Sequence, residues 1–162
     1  MSDQEPQAPQ PTDEHRRLES RIGTWKVECT MYTGPGMPPM TYEAEDVVEA
    51  LGPFWTVGSF SCEFGGVPFQ GRATMGFDPK TGKHVGTWQD TMSPWLCVFE
   101  GGLDDNGDLI MSAKSTMPWN GQDTVYHTVE TQPSPDQRTF SMSYEMGDEK
   151  VLLAEYVYTR KS

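Results

Sequence analysis

His84, Gly86, Trp88, Asp90 and Met92 alternate along the chain, so in an extended strand all five share one face. A histidine and an aspartate on one face suggest acid/base chemistry. At about 3.3 Å per residue, however, His84 and Asp90 stand roughly 20 Å apart, and they cannot form a dyad. Trp88 and Asp90 are about 7 Å apart by the same rule, which places a carboxylate beside an aromatic wall. A buried aspartate must be paired, hydrogen-bonded or protonated. Asp90 is therefore either an anchor for the neighbouring turn or a group that orients a ligand. Asp78, in the turn that begins Phe77-Asp78-Pro79, reads as a cap on the loop backbone.

His15, His84 and His127 are scattered, with no HxH or HxxxH spacing to supply two metal ligands from one element, so no metal site is expected. A single inward histidine could still ligate haem, and His84 and His127 are the candidates borne on strands. No GxSxG, P-loop or GxGxxG motif is present, which removes the standard nucleophile and nucleotide machinery and leaves no cofactor expected. A cofactor-free lyase or isomerase would have to assemble inward Tyr, Arg and carboxylate groups from separate strands. Arg72, Glu63, Tyr126, Tyr144 and Glu155 could supply such a set.

The chain also carries ten Met, seven Phe, six Tyr and five Trp, a composition suited to an adaptable apolar lining. Trp55, Phe69 and Trp88 fall in candidate strands and are expected to line a cavity. Trp95, Met111 and Tyr144 complete that candidate set.

The elements that must position these residues follow from patterning. With 162 residues the chain suits one domain. A net charge of -12 disfavours nucleic-acid phosphate and anionic membrane surfaces as partners, and could draw cationic ligands. No apolar stretch approaches the roughly 20 residues of a membrane helix, and residues 1–12 lack the basic start and apolar run of a secretory signal. A cytoplasmic protein with a disordered tail over 1–12 and one domain over 13–162 is expected. Cys29, Cys62 and Cys97 are an odd number without a CxxC pair, and read as buried free thiols.

Thr12 to Arg21 has a candidate N-cap, early acidic and later basic residues, and Leu18 four before Ile22, which predicts a short helix ending at Gly23. Alternation then takes over, with turn residues every ten to fourteen positions. About ten strands are predicted, beginning at Thr24–Thr33, Met40–Leu51, Phe54–Phe64, Pro68–Phe77 and His84–Met92. The remainder fall at Trp95–Gly101, Asp108–Met117, Thr124–Thr131, Arg138–Met146 and Lys150–Arg160. Closure of such an antiparallel up-and-down meander would remove its two exposed edges, although a two-sheet sandwich would alternate similarly.

Gly23-Thr24-Trp25 opens the first strand after the helix and Arg160 ends the last, an arrangement that resembles the calycins. The resemblance implies that Arg160 stacks on Trp25 and seals the barrel floor, a cation–π contact on the order of 1 kcal/mol. The segment Pro68–Ser93 carries a sharper likeness. Gly71, Gly76-Phe77-Asp78 and Trp88-Gln89-Asp90 resemble the pattern of the DUF1579 family, bacterial proteins without an assigned activity. This likeness implies an all-β, lipocalin-like barrel. Nitrobindin-type barrels are similar in architecture, which is the context for the haem alternative. The leading expectation is a barrel that binds a small, largely apolar molecule near Trp88 and Asp90. A homodimer, edge to edge or face to face, stays open.

Overall fold

The computed structural model describes residues 5–162; the first four residues of the expected tail lie outside them. Glu5–Pro11 form no regular element. Helix α1 (Asp13–Leu18) follows, continued by a 3-10 turn over Glu19–Arg21. Its start is a capping box with histidine in the third position: Thr12 N–H donates to His15 Nδ1 at 2.9 Å, while the Thr12 hydroxyl accepts from His15 N–H. With Nδ1 accepting, His15 Nε2 donates to the Phe77 carbonyl at 2.9 Å and pins the helix across the end of the sheet.

Ten strands follow: β1 (Gly23–Met31), β2 (Met40–Leu51), β3 (Trp55–Phe64), β4 (Val67–Asp78), β5 (Lys83–Asp90), β6 (Cys97–Leu103), β7 (Leu109–Thr116), β8 (Asp123–Ser134), β9 (Gln137–Met146) and β10 (Glu149–Arg160). Each pairs antiparallel with its neighbours in sequence, and β1 pairs with β10, so the sheet is a closed barrel rather than a sandwich. Most strand ends fall within two residues of the expected ones, and two of the differences have a visible local cause. Strand β6 begins at Cys97 because Ser93 accepts the Trp95 N–H at 3.3 Å, a local turn that leaves Trp95 in the β5–β6 loop. Strand β8 runs on to Ser134, with a register shift between Thr131 and Ser134 that accommodates Pro133.

Alternation sorts the faces. On β1, Trp25, Val27 and Cys29 are buried and point inward, while Lys26 and Glu28 face solvent. Helix α1 covers the end where β1 starts and β10 finishes, which makes this the closed floor; the other end is the mouth. At the floor Trp25 is fully buried, with the Arg160 guanidinium 4.2 Å and the Arg138 guanidinium 4.5 Å from its ring centre. Arg138 also lies 4.3 Å from the Tyr158 ring centre, so aromatic and cationic groups succeed one another through the floor. Arg160 further donates to the carbonyls of Ile22 at 2.6 Å and Ser20 at 2.8 Å, closing the N-terminal segment over the barrel. All three cysteines are free thiols. Among the described residues no helix is long and apolar enough to cross a membrane.

Candidate functional site

Asp90 ends β5 at the mouth and points into the barrel. Its Oδ2 accepts from Trp88 Nε1 and its Oδ1 accepts from the Met92 N–H, both at 2.9 Å. The two residues meet although their backbones are two positions apart, because the indole leans along the strand toward the carboxylate. Gly71 on β4, which pairs with Asp90, leaves the space that the ring fills: a Cβ there would overlap three carbons of the Trp88 ring. Phe60 meets the same indole edge-on, with ring centres 6.0 Å apart. Asp90 thus anchors both the turn and the indole.

Around this corner the interior is aromatic and rich in Met. Phe69 packs on Phe60 at 6.1 Å, Met111 is buried on β7, and Tyr144 on β9 faces inward and meets Trp119 edge-on at 5.5 Å. The Tyr42 and Tyr156 hydroxyls are 3.1 Å apart. Burial pushes the Tyr126 and Tyr156 phenols up to about 12, and the Asp90 charge adds to the shift in both. Burial likewise raises the Cys97 thiol, again with a contribution from Asp90. One carboxylate therefore faces groups on three other strands across a shared interior.

Packing is uneven around the barrel interior. Trp25 and Val27 at the floor are 0% exposed and Met111, Ala113, Met117 and Tyr126 belong to a second buried cluster, whereas the inward residues Met75, Trp88, Phe140, Met142 and Tyr156 are only half-buried. The mouth itself is apolar at its rim: Met37, Val67, Met92, Leu96, Trp119 and Met146 are exposed on or beside the loops there.

The floor holds a second polar group of a different kind. Arg21 makes a two-pronged salt bridge to Glu130, and Arg138 sits 3.8 Å from Glu130 and 3.9 Å from Asp46. Burial opposes ionisation of Glu130, but Arg21 and Arg138 outweigh it and hold its pKa below the ordinary value. For Asp46 burial wins, and its pKa is raised despite the two arginines.

Three expected site residues stand elsewhere. Trp55 lies on the outer face, its ring over Gly76, because the inward alternation of β3 runs through Thr56, Gly58 and Phe60. It borders a hollow of about 110 Å³ under α1, not the barrel interior. Trp95 is in a loop at the rim and 39% exposed. His84 does face inward, but at the floor, where its Nε2 is 3.5 Å from Glu14 and its Nδ1 is enclosed without a partner. His127 is on the outer face and pairs with Glu145 at 2.7 Å. Neither histidine offers a nitrogen to the open interior, so the residues do not fit histidine-ligated haem. Of the lyase set, Arg72, Glu63 and Glu155 are exposed on the outside; only Tyr126 and Tyr144 face inward. An open groove lined by Arg17, Asp108 and Gln132 runs outside the floor and does not reach Asp90. Among the described residues no three His, Cys, Asp or Glu side chains are grouped to hold a metal.

Tyr42, Phe60, Met75, Met142 and Tyr156 belong to the interior but were not anticipated. The alternation of Ala154, Tyr156 and Tyr158 with outward Glu155 was the available signal on β10.

No curated protein matches the chain. Its fold is similar to that of Rv2717c from M. tuberculosis, with a TM-score of 0.72 at 13% identity, covering 94% of this chain and 100% of that one. The ywiB protein from Bacillus subtilis aligns more loosely, with a TM-score of 0.41 at 10% identity over 86% of this chain and 91% of that one. The first of these likenesses concerns the barrel fold alone, and the second carries no argument. The model of DUF1579, a protein family of unknown function, matches residues 10–160, and the chain belongs to that family.

Proposed function

We propose that this protein binds a small, largely apolar molecule in the upper half of its barrel, admitted through the mouth. The observation that carries the reading is a set of inward Met and aromatic side chains, Met75, Trp88, Phe140, Met142 and Tyr156, that keep accessible surface inside a barrel whose floor is closed at Trp25 and Val27. Apolar walls with a few placed polar groups are the usual composition of a small-molecule site. Met75 and Met142 add side chains that adapt to varied shapes.

Titration with the neutral fluorophore N-phenyl-1-naphthylamine tests it. A saturable, single-site rise in emission is expected, and Met142→Trp, which fills the interior, should abolish it while the fold persists by circular dichroism. Absence of saturable binding, or binding that Met142→Trp leaves intact, would overturn the reading.

A further inference from the structure

The structure assigns a charge preference to this interior: we infer that the ligand is an amphiphile with a cationic, amine-type head, held at the mouth by Asp90. The inference rests on the binding reading above and names the class of ligand.

Its first support is the distribution of inward charge. At the floor, Arg21 and Arg138 are matched by Glu130 and Asp46. Above the floor Asp90 is the charged side chain facing the interior, and among the described residues it takes part in no salt bridge. Each of its oxygens accepts one hydrogen bond, which leaves further acceptor capacity on both. Because the Trp88 indole and the Met92 backbone hold the carboxylate in place, an incoming ammonium meets an acceptor that is already oriented.

The second support is the wall. Trp88 touches Asp90, and the Tyr126 and Tyr156 phenols are close enough for their ionisation to respond to its charge. An organic cation seated at Asp90 would also lie beside the Trp88 indole, and aromatic π faces attract cations through the ring quadrupole. An anionic head finds the reverse. It would approach the Asp90 charge, and the guanidiniums at the floor are already engaged: Arg21 by Glu130, Arg160 over Trp25, and Arg138, 2% exposed, between Trp25 and Tyr158. A net charge of -12 draws cations toward the molecule and repels anions at longer range.

The test displaces N-phenyl-1-naphthylamine from the full chain with decylamine, decanol or decanoate, which share one tail and differ in the head. Decylamine should displace the probe at a concentration about tenfold below that of decanol, the ratio expected of one charge-assisted hydrogen bond, with decanoate weakest. In Asp90→Asn the ratio of amine to alcohol affinity should fall toward one. Should that variant fail to fold, added salt supplies the same contrast in the unmodified protein, weakening the amine and not the alcohol. Equal amine and alcohol affinities, a preference for decanoate, or a salt-independent ratio would overturn the charge preference and leave the binding reading standing. If the fluorophore itself does not bind, the binding reading fails first.

Discussion

The ring of Trp88 occupies the space that a side chain at Gly71 would need. The glycine is on β4 and the tryptophan on β5, in strands that pair directly, and their fit lets the indole reach Asp90. Gly71→Ala must push the ring aside and stretch that hydrogen bond. Overpacking of this kind costs roughly 1–3 kcal/mol. A lower Tm by calorimetry and a shifted tryptophan emission are expected; an unchanged Tm would mean that the ring has room to spare.

At the floor, Arg138→Ala would remove the guanidinium between Trp25 and Tyr158 and leave Asp46 and Glu130 with Arg21 as the nearby cation. Loss of one partner from a buried ionic group costs about 3–5 kcal/mol. Arg138→Met keeps most of the volume, and so separates packing from charge. Urea denaturation should rank wild type above Met and Met above Ala; equal losses for the two variants would assign the whole effect to charge.

His84 makes stability depend on pH on the acid side of neutrality. Burial lowers its pKa below the ordinary 6.5, with Glu14 only partly opposing. The folded state thus prefers the neutral ring. Its contribution is present above 6.5 and is lost as the pH falls through the lower, folded value. His84→Gln should flatten the Tm profile over that interval, and a profile identical to the wild type would place the titration elsewhere.

The two floor carboxylates should show opposite signs. Glu130 has a lowered pKa, so its contribution is present above the ordinary 4.5 and fades as acid protonates it. Asp46 has a raised pKa, so its contribution is full below the ordinary 3.8 and is lost as the pH rises through the folded value. Relative to wild type, Glu130→Gln should become increasingly unfavourable as pH rises to the ordinary 4.5 and level off above it, whereas the Asp46 effect develops as pH rises above 3.8. Asp46→Asn should become increasingly favourable. Parallel Tm differences for the two variants would contradict this assignment.

Trp55 offers a control outside the barrel. Trp55→Ala exposes Gly76 and removes part of the cover beneath α1, which should lower stability by roughly 1–3 kcal/mol. Probe affinity should be unchanged. A loss of affinity equal to that of an interior variant would show that the outer face communicates with the interior.

Much of the architecture was legible because period-two alternation is local: Trp25, Val27 and Cys29 identify the inner face of β1 without reference to any other strand. The stacking of Arg160 on Trp25 followed from the calycin likeness and stands at 4.2 Å. Height along the barrel axis was not legible. His84 was assigned to the correct face of β5, yet it belongs to the floor while Asp90 belongs to the mouth, because direction relative to the closed end depends on the whole meander. Trp55 missed the interior by a single position, and one position is enough to change faces. The floor charges escaped notice for another reason. Asp46, Glu130 and Arg138 look like solvent-facing residues singly, and become compatible with burial only when β2, β8 and β9 bring them together.

The pairing of β1 with β10 has a kinetic side. Trp25 lies opposite Arg160, so the seam joins the two most distant strands, and its loop-closure entropy must be met before its contacts return anything. Until then β1 and β10 are unpaired edges, each able to recruit a strand from another chain. Refolding should therefore be slow for a domain of this size and sensitive to protein concentration, with Arg160 acting as the latch that ends the vulnerable interval when it grips Ile22 and Ser20.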